Sequence, residues 1–349
     1  MACRYGFVAH GLRLTGLCAA MLLTGSLGFI LIAQEQGGDS RQIVAEEFTN
    51  ARPNKPKPSP TTTRPSTTGS RQRTDSAATN TARRRPPPRY RRSTTDAIGG
   101  SATTPPARNN SAASTAASAI PSSAAKVGVT IWRLRPVRAT DNGARILVME
   151  DGRETQLTPE RVESGAQLRV SDRVRLTIES PRNGYLYVVD RELYADGSMG
   201  DPFLIFPTQR TRGGDNRALP GKLIDIPGQE DRPNYFTLVP SPSREDQVAE
   251  VLSIIITTQP LENFEITDKP VKLSKSQVEK WEKQWSTRVE KYEMEGGAGQ
   301  TWSREERAAS AEDTGRYLTQ EDPSPQTIYL VEGKNNQGLL VTVPLRYKR

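Results

Sequence analysis

Between residues 51 and 125 the chain holds a single aromatic residue, Tyr90, and almost no other side chain able to fill a core. Such a segment cannot bury enough apolar surface to offset the entropy of ordering it. A fold must therefore be built outside it, and residues 126–349 are long enough to bury a substantial core of their own. The 51–125 segment is rich in Pro, Ser, Thr, Ala and Arg, lacks apolar periodicity, and reads as a disordered basic linker. Pieces such as Asn-Lys-Pro-Lys-Pro-Ser-Pro at 54–60 favour extended polyproline conformations.

Charge divides the same way. The whole chain carries a net charge of +8, but residues 51–125 hold 13 Lys and Arg against 2 acidic residues. Residues 126–349 hold 32 basic and 34 acidic residues. The basicity belongs to the linker, so the chain does not read as a nucleic-acid-binding fold. Its densest point comprises Arg83, Arg84, Arg85, Arg89, Arg91 and Arg92, around a Pro-Pro-Pro run. That cluster can contact anionic lipid headgroups or wall polymers. Nucleic acid is disfavoured because only Tyr90 could stack on a base. The alternatives are a solvated, self-repelling spacer and a ligand for a Pro-reading partner.

At the N-terminus, Arg4 and Arg13 precede an apolar run over 14–33. This is the layout of an export signal. Ala33 suits a cleavage site, whereas Leu31 does not. The run is about 20 residues long, which also suffices for an uncleaved membrane anchor with its basic end in the cytoplasm. A buried core helix is the third reading. Leu17 argues against Cys18 as a lipoprotein cysteine. Residues 34–50 form a short post-signal segment.

From Val127 onward, short β-rich segments recur. Val129–Leu134, 145–149 and Arg173–Glu179 come first, followed by Gly184–Asp190 continuing to Tyr194. An Asp196-Gly197 turn then leads into Phe203–Phe206, a hairpin signal. Leu223–Ile226, 235–239 and 248–258 complete the series. Alternation with Gly, Pro and Asn punctuation indicates an antiparallel sandwich or barrel. One amphipathic helix is predicted over about 274–295. Ser274 and Gln277 open it, Leu273 and Val278 have staple spacing, and Val278, Trp281, Trp285, Val289 and Tyr292 form one stripe. The stripe reads as sheet-packing, with a tryptophan binding platform as the alternative. Ser303 and Glu306 mark a second, shorter helix. Thr327–Val331 and 339–343 read as a C-terminal β-hairpin. The expected fold is α+β, mostly β: an antiparallel β-sandwich or barrel-like domain over 126–349.

The residue inventory restricts the chemistry. Both cysteines, Cys3 and Cys18, and the only histidine, His10, lie within the first 20 residues. Beyond them no Ser-His-Asp triad, cysteine nucleophile or His-ligated zinc site can be assembled, and no phosphate-cradling glycine motif occurs. Carboxylate chemistry survives, as in glycoside hydrolysis. Asp190, Glu192 and Asp225 are the plainest candidates, although alternation makes them solvent-facing members of their strands. Glu305 and Glu306, flanked by Arg304 and Arg307, read as a solvated helix face. Asp196 and Asp201 flank a glycine turn without enough alternating oxygen donors for calcium, so no metal or cofactor is assigned. The polar loop carrying Arg210, Arg212, Asp215, Asn216 and Arg217 has arginine forks suited to carboxylate or phosphate. A long ordered connection is its alternative.

The order Gly184-Tyr-Leu-Tyr-Val188, Asp196-Gly197, Phe206-Pro207, Gly214-Asp-Asn216, Gly221 and Ile226-Pro227 resembles an uncharacterised bacterial domain family. The family is a domain of unknown function, met in exported proteins and beside caspase-like peptidase or protein-kinase domains. The similarity covers about 168–260. The Trp132 strand and the segments 325–329 and 343–345 are similar to its extended, exported subgroup. The resemblance implies a β-rich accessory module and supplies no reaction. The combined expectation is a noncatalytic exported module, periplasmic or extracellular, that binds an envelope protein or cell-surface polymer. A carboxylate hydrolase and anionic-polymer binding through the linker are the alternatives.

Overall fold

The computed structural model describes residues 46–52, 88–93, 124–150, 152–311, 316–332 and 338–348. Two antiparallel sheets face each other. Sheet A contains β1 (Tyr90–Ser93), β2 (Ala125–Pro136), β3 (Ile146–Glu150), β4 (Arg153–Val162), β6 (Arg173–Glu179), β10 (Leu223–Ile226), β11 (Phe236–Thr237), β14 (Val289–Met294) and β15 (Thr327–Val331). Sheet B contains β5 (Gln167–Leu168), β7 (Gly184–Tyr194), β8 (Phe203–Phe206), β9 (Arg217–Ala218), β12 (Gln247–Thr257), β13 (Val271–Lys272) and β16 (Leu339–Tyr347). In sheet A the order runs β1-β14-β15-β2-β4-β3, with β6 on the other side of β2 and carrying β10 and β11. In sheet B the order is β13-β8-β7-β12-β16-β5, the last pair being parallel.

Side chains alternate across a strand, so each sheet offers one set to the core. Val127, Val129 and Ile131 of β2 and Val174, Leu176 and Ile178 of β6 meet Leu186 and Val188 of β7, Leu252, Ile254 and Ile256 of β12, and Val341 and Val343 of β16. The expected α+β, mostly β sandwich is the observed architecture. The Asp196-Gly197 turn joins β7 to β8 as a hairpin, with Gly197 at φ +82° and Asp196 Oδ1 accepting from Ser198 N at 2.8 Å.

Two expected elements differ. The helix α1 spans Lys275–Trp285, capped by Ser274 Oγ accepting from Gln277 N, and stops short of 295. Val289 and Tyr292 instead lie in β14, between β1 and β15. There Tyr292 and Met294 join Ile328 and Leu330 in a small cluster, while Glu293 takes hydrogen bonds from Ser164 N and Thr327 Oγ1. Strand pairing overrides the three- and four-residue spacing at this point. The C-terminal pair is also not a hairpin: β15 belongs to sheet A and β16 to sheet B. Their apolar residues, Tyr329 and Val331 against Leu339, Val341 and Val343, approach one core from opposite sides. Val278, Trp281 and Trp285 of α1 pack on Tyr187, Val189 and Ile255, the outer face of sheet B. A Cβ on Gly338 would fall 2.5 Å from Trp285 Cε2, so glycine there admits the indole. The tryptophans serve packing.

The boundary at 126 requires correction as well. Residues 46–50 are helical, and Arg52 and the strand β1 belong to the fold. Arg52 is buried and forks onto Glu179, Nε to Oε1 at 2.7 Å and Nη2 to Oε2 at 2.6 Å, and also donates to the carbonyls of Asp322 and Pro323. Phe48 fills the space left by the missing side chain of Gly128, where a Cβ would come 2.8 Å from its Cζ. Tyr90 is fully buried, and its hydroxyl donates to Pro325 O at 2.5 Å. These anchors draw stretches of the 51–125 segment onto sheet A as a clip. The proposed export signal, residues 1–33, lies outside the described residues. Among the described residues no helix is long and apolar enough to cross a membrane.

Arg52→Ala leaves Glu179 buried without its partner and is expected to lower the unfolding free energy by about 3–5 kcal/mol. Arg91→Ala, which removes an exposed pair with Glu163, is expected to change it by less than about 1 kcal/mol. Urea denaturation of the full chain measures both, and equal effects would show that the clip is not docked.

Candidate functional site

The sequence places three carboxylates in doubt, Asp190, Glu192 and Asp225, and the structure separates them. Asp225 is buried on the outer face of sheet A, where Arg175 Nη2 donates to Oδ2 at 3.1 Å and Thr177 Oγ1 to Oδ1 at 2.6 Å. Burial pushes its carboxyl up, against the attraction of Arg175 and the Thr177 hydroxyl. Trp132 Nε1 donates to the same Thr177, and the Arg175 guanidinium lies 5.4 Å from the centre of Trp302. Glu306 covers this layer. It completes the capping box of α2 (Arg304–Ser310) with Ser303 and accepts from Arg161 Nη2 at 2.5 Å. Asp225 is therefore not solvent-facing, and Glu306 is not part of a solvated face, although Glu305 is exposed. Both buried acids are structural, held by fixed guanidinium partners.

Asp190 and Glu192 lie elsewhere and face inward. They continue the inner face of β7, two and four residues beyond Val188. Glu192 stands directly opposite Glu250 of β12, and Asp190 opposite Leu252. Residues so paired have Cβ atoms about 4.5–5.5 Å apart, and like charges there are destabilising. The acids thus lie on the core-facing side of their strands yet stay half-exposed, where the apolar inner face of sheet B ends in three carboxylates. They line a pocket of about 300 Å³ at the end of the sandwich, together with Phe203 and the 239–242 segment.

The pocket is organised around Glu250. Tyr347 Oη and Gln247 Nε2 both donate to its Oε1, each at 2.8 Å, while Gln247 Oε1 accepts from Ser241 N at 2.6 Å. Gln247 thereby ties the 239–242 rim to the acidic floor. The Oδ1 atom of Asp190 is shut off from solvent and has no hydrogen-bond partner. Burial, then the charges of Glu250 and Glu192, push the Asp190 carboxyl well above the usual carboxylate range. Burial likewise raises Glu250, despite the hydrogen bonds from Tyr347 and Gln247. Among the described residues no Lys or Arg is paired with any of the three. The neighbouring Arg191 is part of the lining, and its Nη2 pairs with Glu282 of α1 on the outer side. No group of three or more His, Cys, Asp or Glu among the described residues is gathered closely enough to hold a metal ion.

Most of the remaining candidates among the described residues are internally paired. Arg210 meets Asp268 at 3.2 Å and Arg217 meets Asp215 at 3.0 Å. Arg212, at φ +51°, donates its backbone N–H to Asp231 Oδ1 at 3.0 Å. Buried Asn216 continues the sheet, exchanging bonds with Leu186. The loop is an ordered connection in which Arg210 and Arg217 pair with acids, while the buried Nη1 of Arg212 has no hydrogen-bond partner among the described residues. Asp196 and Asp201 turn to separate partners, Arg244 and Lys272. Of the arginine cluster, Arg83, Arg84 and Arg85 lie outside the described residues, Arg89 is exposed, and Arg91 and Arg92 pair with Glu163 and Glu290 at 2.6 and 2.7 Å. A cavity of about 420 Å³ forms the seam between the clip and sheet A. Its charges include the Arg52–Glu179 and Lys126–Glu47 pairs, at 2.6 and 2.8 Å.

The residues that carry the family resemblance occupy structural posts. A Cβ on Gly184 would strike the carbonyl of Thr257, Gly221 sits at φ +73°, and Phe206-Pro207 and Ile226-Pro227 are cis. No family model, curated protein or solved structure matches the chain.

Because Asp190 and Glu250 bind protons more tightly folded than unfolded, stability falls as pH rises from the ordinary carboxylate range. Asp190→Asn is expected to flatten that slope and to raise the thermal midpoint at neutral pH. Asp225→Ala is expected to cost about 3–5 kcal/mol by stranding Arg175. Calorimetry across pH tests both, and a lower midpoint for Asp190→Asn at neutral pH would contradict the unpaired-acid assignment.

Proposed function

We propose that the folded part of this chain is a noncatalytic, exported binding module of the cell envelope. Its ligand site is the pocket formed by Asp190, Glu192, Glu250 and the 239–242 rim, and its ligand is a protein or a cell-surface polymer. One observation carries the reading: three carboxylates without cationic partners among the described residues occupy the end of an otherwise apolar inner face. A fold gains no stability from that arrangement, and stability given up at a concave site is characteristic of binding sites. Export is supported by the 1–33 layout, and the lack of His and Cys beyond residue 18 supports the noncatalytic part.

A second reading, a carboxylate hydrolase, is favoured by one feature. A carboxyl group whose proton affinity is raised beside an ionisable neighbour is the pairing used by general acids in glycoside hydrolysis. The two readings separate on turnover. The full exported chain is expected to retain an envelope partner that Glu250→Gln releases, and to liberate no products from peptidoglycan or a glycoside panel. Product formation abolished by Asp190→Asn would replace the binding module with the hydrolase.

A further inference from the structure

We infer that this pocket recognises an ammonium or guanidinium group carried on an aliphatic stem, the chemistry of a lysine or arginine side chain. The inference rests on the binding-module reading and names its ligand class. Four observations converge on it. First, the lining has three carboxylates against one cation, Arg191, whose Nη2 is already paired with Glu282 of α1, so a ligand that enters meets a net negative field. Second, Glu250 offers a free acceptor. Tyr347 and Gln247 both donate to Oε1 of Glu250, which leaves Oε2 without a donor among the described residues. An ammonium brings three N–H donors and a guanidinium five, with no acceptor to repel the carboxylates. Charge-assisted bonds of this kind are the strong ones.

Third, the rim is apolar. Phe203 and Val239 are 36% and 60% exposed, and Pro240 and Pro242 stand beside Val239. Basic side chains lay their methylene stems on such surface while the head reaches a charged partner. A fully hydrated small ion would make no use of it. Fourth, the carboxylates do not close on one point as metal ligands would. Their spread along two strands suits donors that fan out from an organic cation. With the cation bound, the Glu192–Glu250 opposition across the ladder becomes favourable.

The site also contains a way to move one carboxylate without removing its charge. Gly200 packs under Glu192, donating its N–H to the Glu192 carbonyl at 2.9 Å. A Cβ at Gly200 would overlap the Glu192 carboxylate. Gly200→Ala therefore displaces that group while all three acids remain.

The test uses the full chain at neutral pH and low salt, titrated by calorimetry with an end-blocked Gly-Gly-Lys-Gly-Gly peptide. The expected result is binding that weakens at least tenfold when the lysine is Nε-acetylated, a comparison that needs no variant. Glu250→Gln and Gly200→Ala are expected to weaken it by a similar factor while keeping the wild-type circular dichroism. Tighter binding of the peptide than of pentylamine supports a protein as the source of the cation. The reverse order supports a free or polymer-borne amine. Equal binding of the acetylated peptide, or no binding of either peptide, overturns the inference. If neither peptide binds but Glu250→Gln still releases the envelope partner, the ligand class is wrong and the binding module stands. If Glu250→Gln also keeps the partner, both are wrong.

Discussion

The register between β7 and β12 is the constraint on which the rest depends. With a side-chain period of two, the pairing that sends Leu186 and Val188 toward Leu252, Ile254 and Ile256 must send Asp190, Glu192 and Glu250 the same way. A slip of one residue would move the acids to the α1 side, but it would also turn the central apolar set out of the core. The apolar part of the face holds the two sheets together. That burial fixes the acids where neither solvent nor a basic residue fully relieves them. The pocket is thus a product of the same register that makes the core.

The two sheets treat charge differently. On the outer face of sheet A, guanidinium and carboxyl groups are buried in matched sets: Arg52 with Glu179, Arg161 with Glu306, Arg175 with Asp225. Each set has additional hydrogen bonds and neighbouring apolar or aromatic surface. Such pairs add little net stability compared with apolar packing, but losing one partner is costly. They consequently fix which segments cover the sheet, including the clip that carries Arg52. On the inner face of sheet B, the acids have no such partners. The contrast is the physical basis for reading one group as architecture and the other as a site.

Much of the fold could be read from the sequence, because the β-segments alternate cleanly and the caps at Ser274 and Ser303 are local signals. The errors arise where tertiary pairing decides. Val289 and Tyr292 fit a helical stripe, yet they complete a ladder between β1 and β15. Thr327–Val331 and Leu339–Tyr347 look like a hairpin, and only the core between the sheets assigns them to different ones. Tyr90 and Arg52 were hidden in a segment whose average composition cannot fold, since single anchors do not alter an average. For the site, Asp190 and Glu192 were visible as acids in apolar strands, but their facing was misjudged. Glu250 carried the same signal, sharing parity with Leu252, Ile254 and Ile256. Gln247 and Tyr347 could not be connected to it without the register.

The most direct test of the unpaired inward-facing carboxyl group is a carbon-detected NMR titration of the Asp and Glu side-chain carboxyls in the full chain. Asp190 should titrate well above the ordinary carboxylate range, with an inflection shared with Glu250, and its midpoint should fall when a cationic ligand fills the pocket. An Asp190 that titrates near the usual value of about 4, independently of Glu250, would contradict the account.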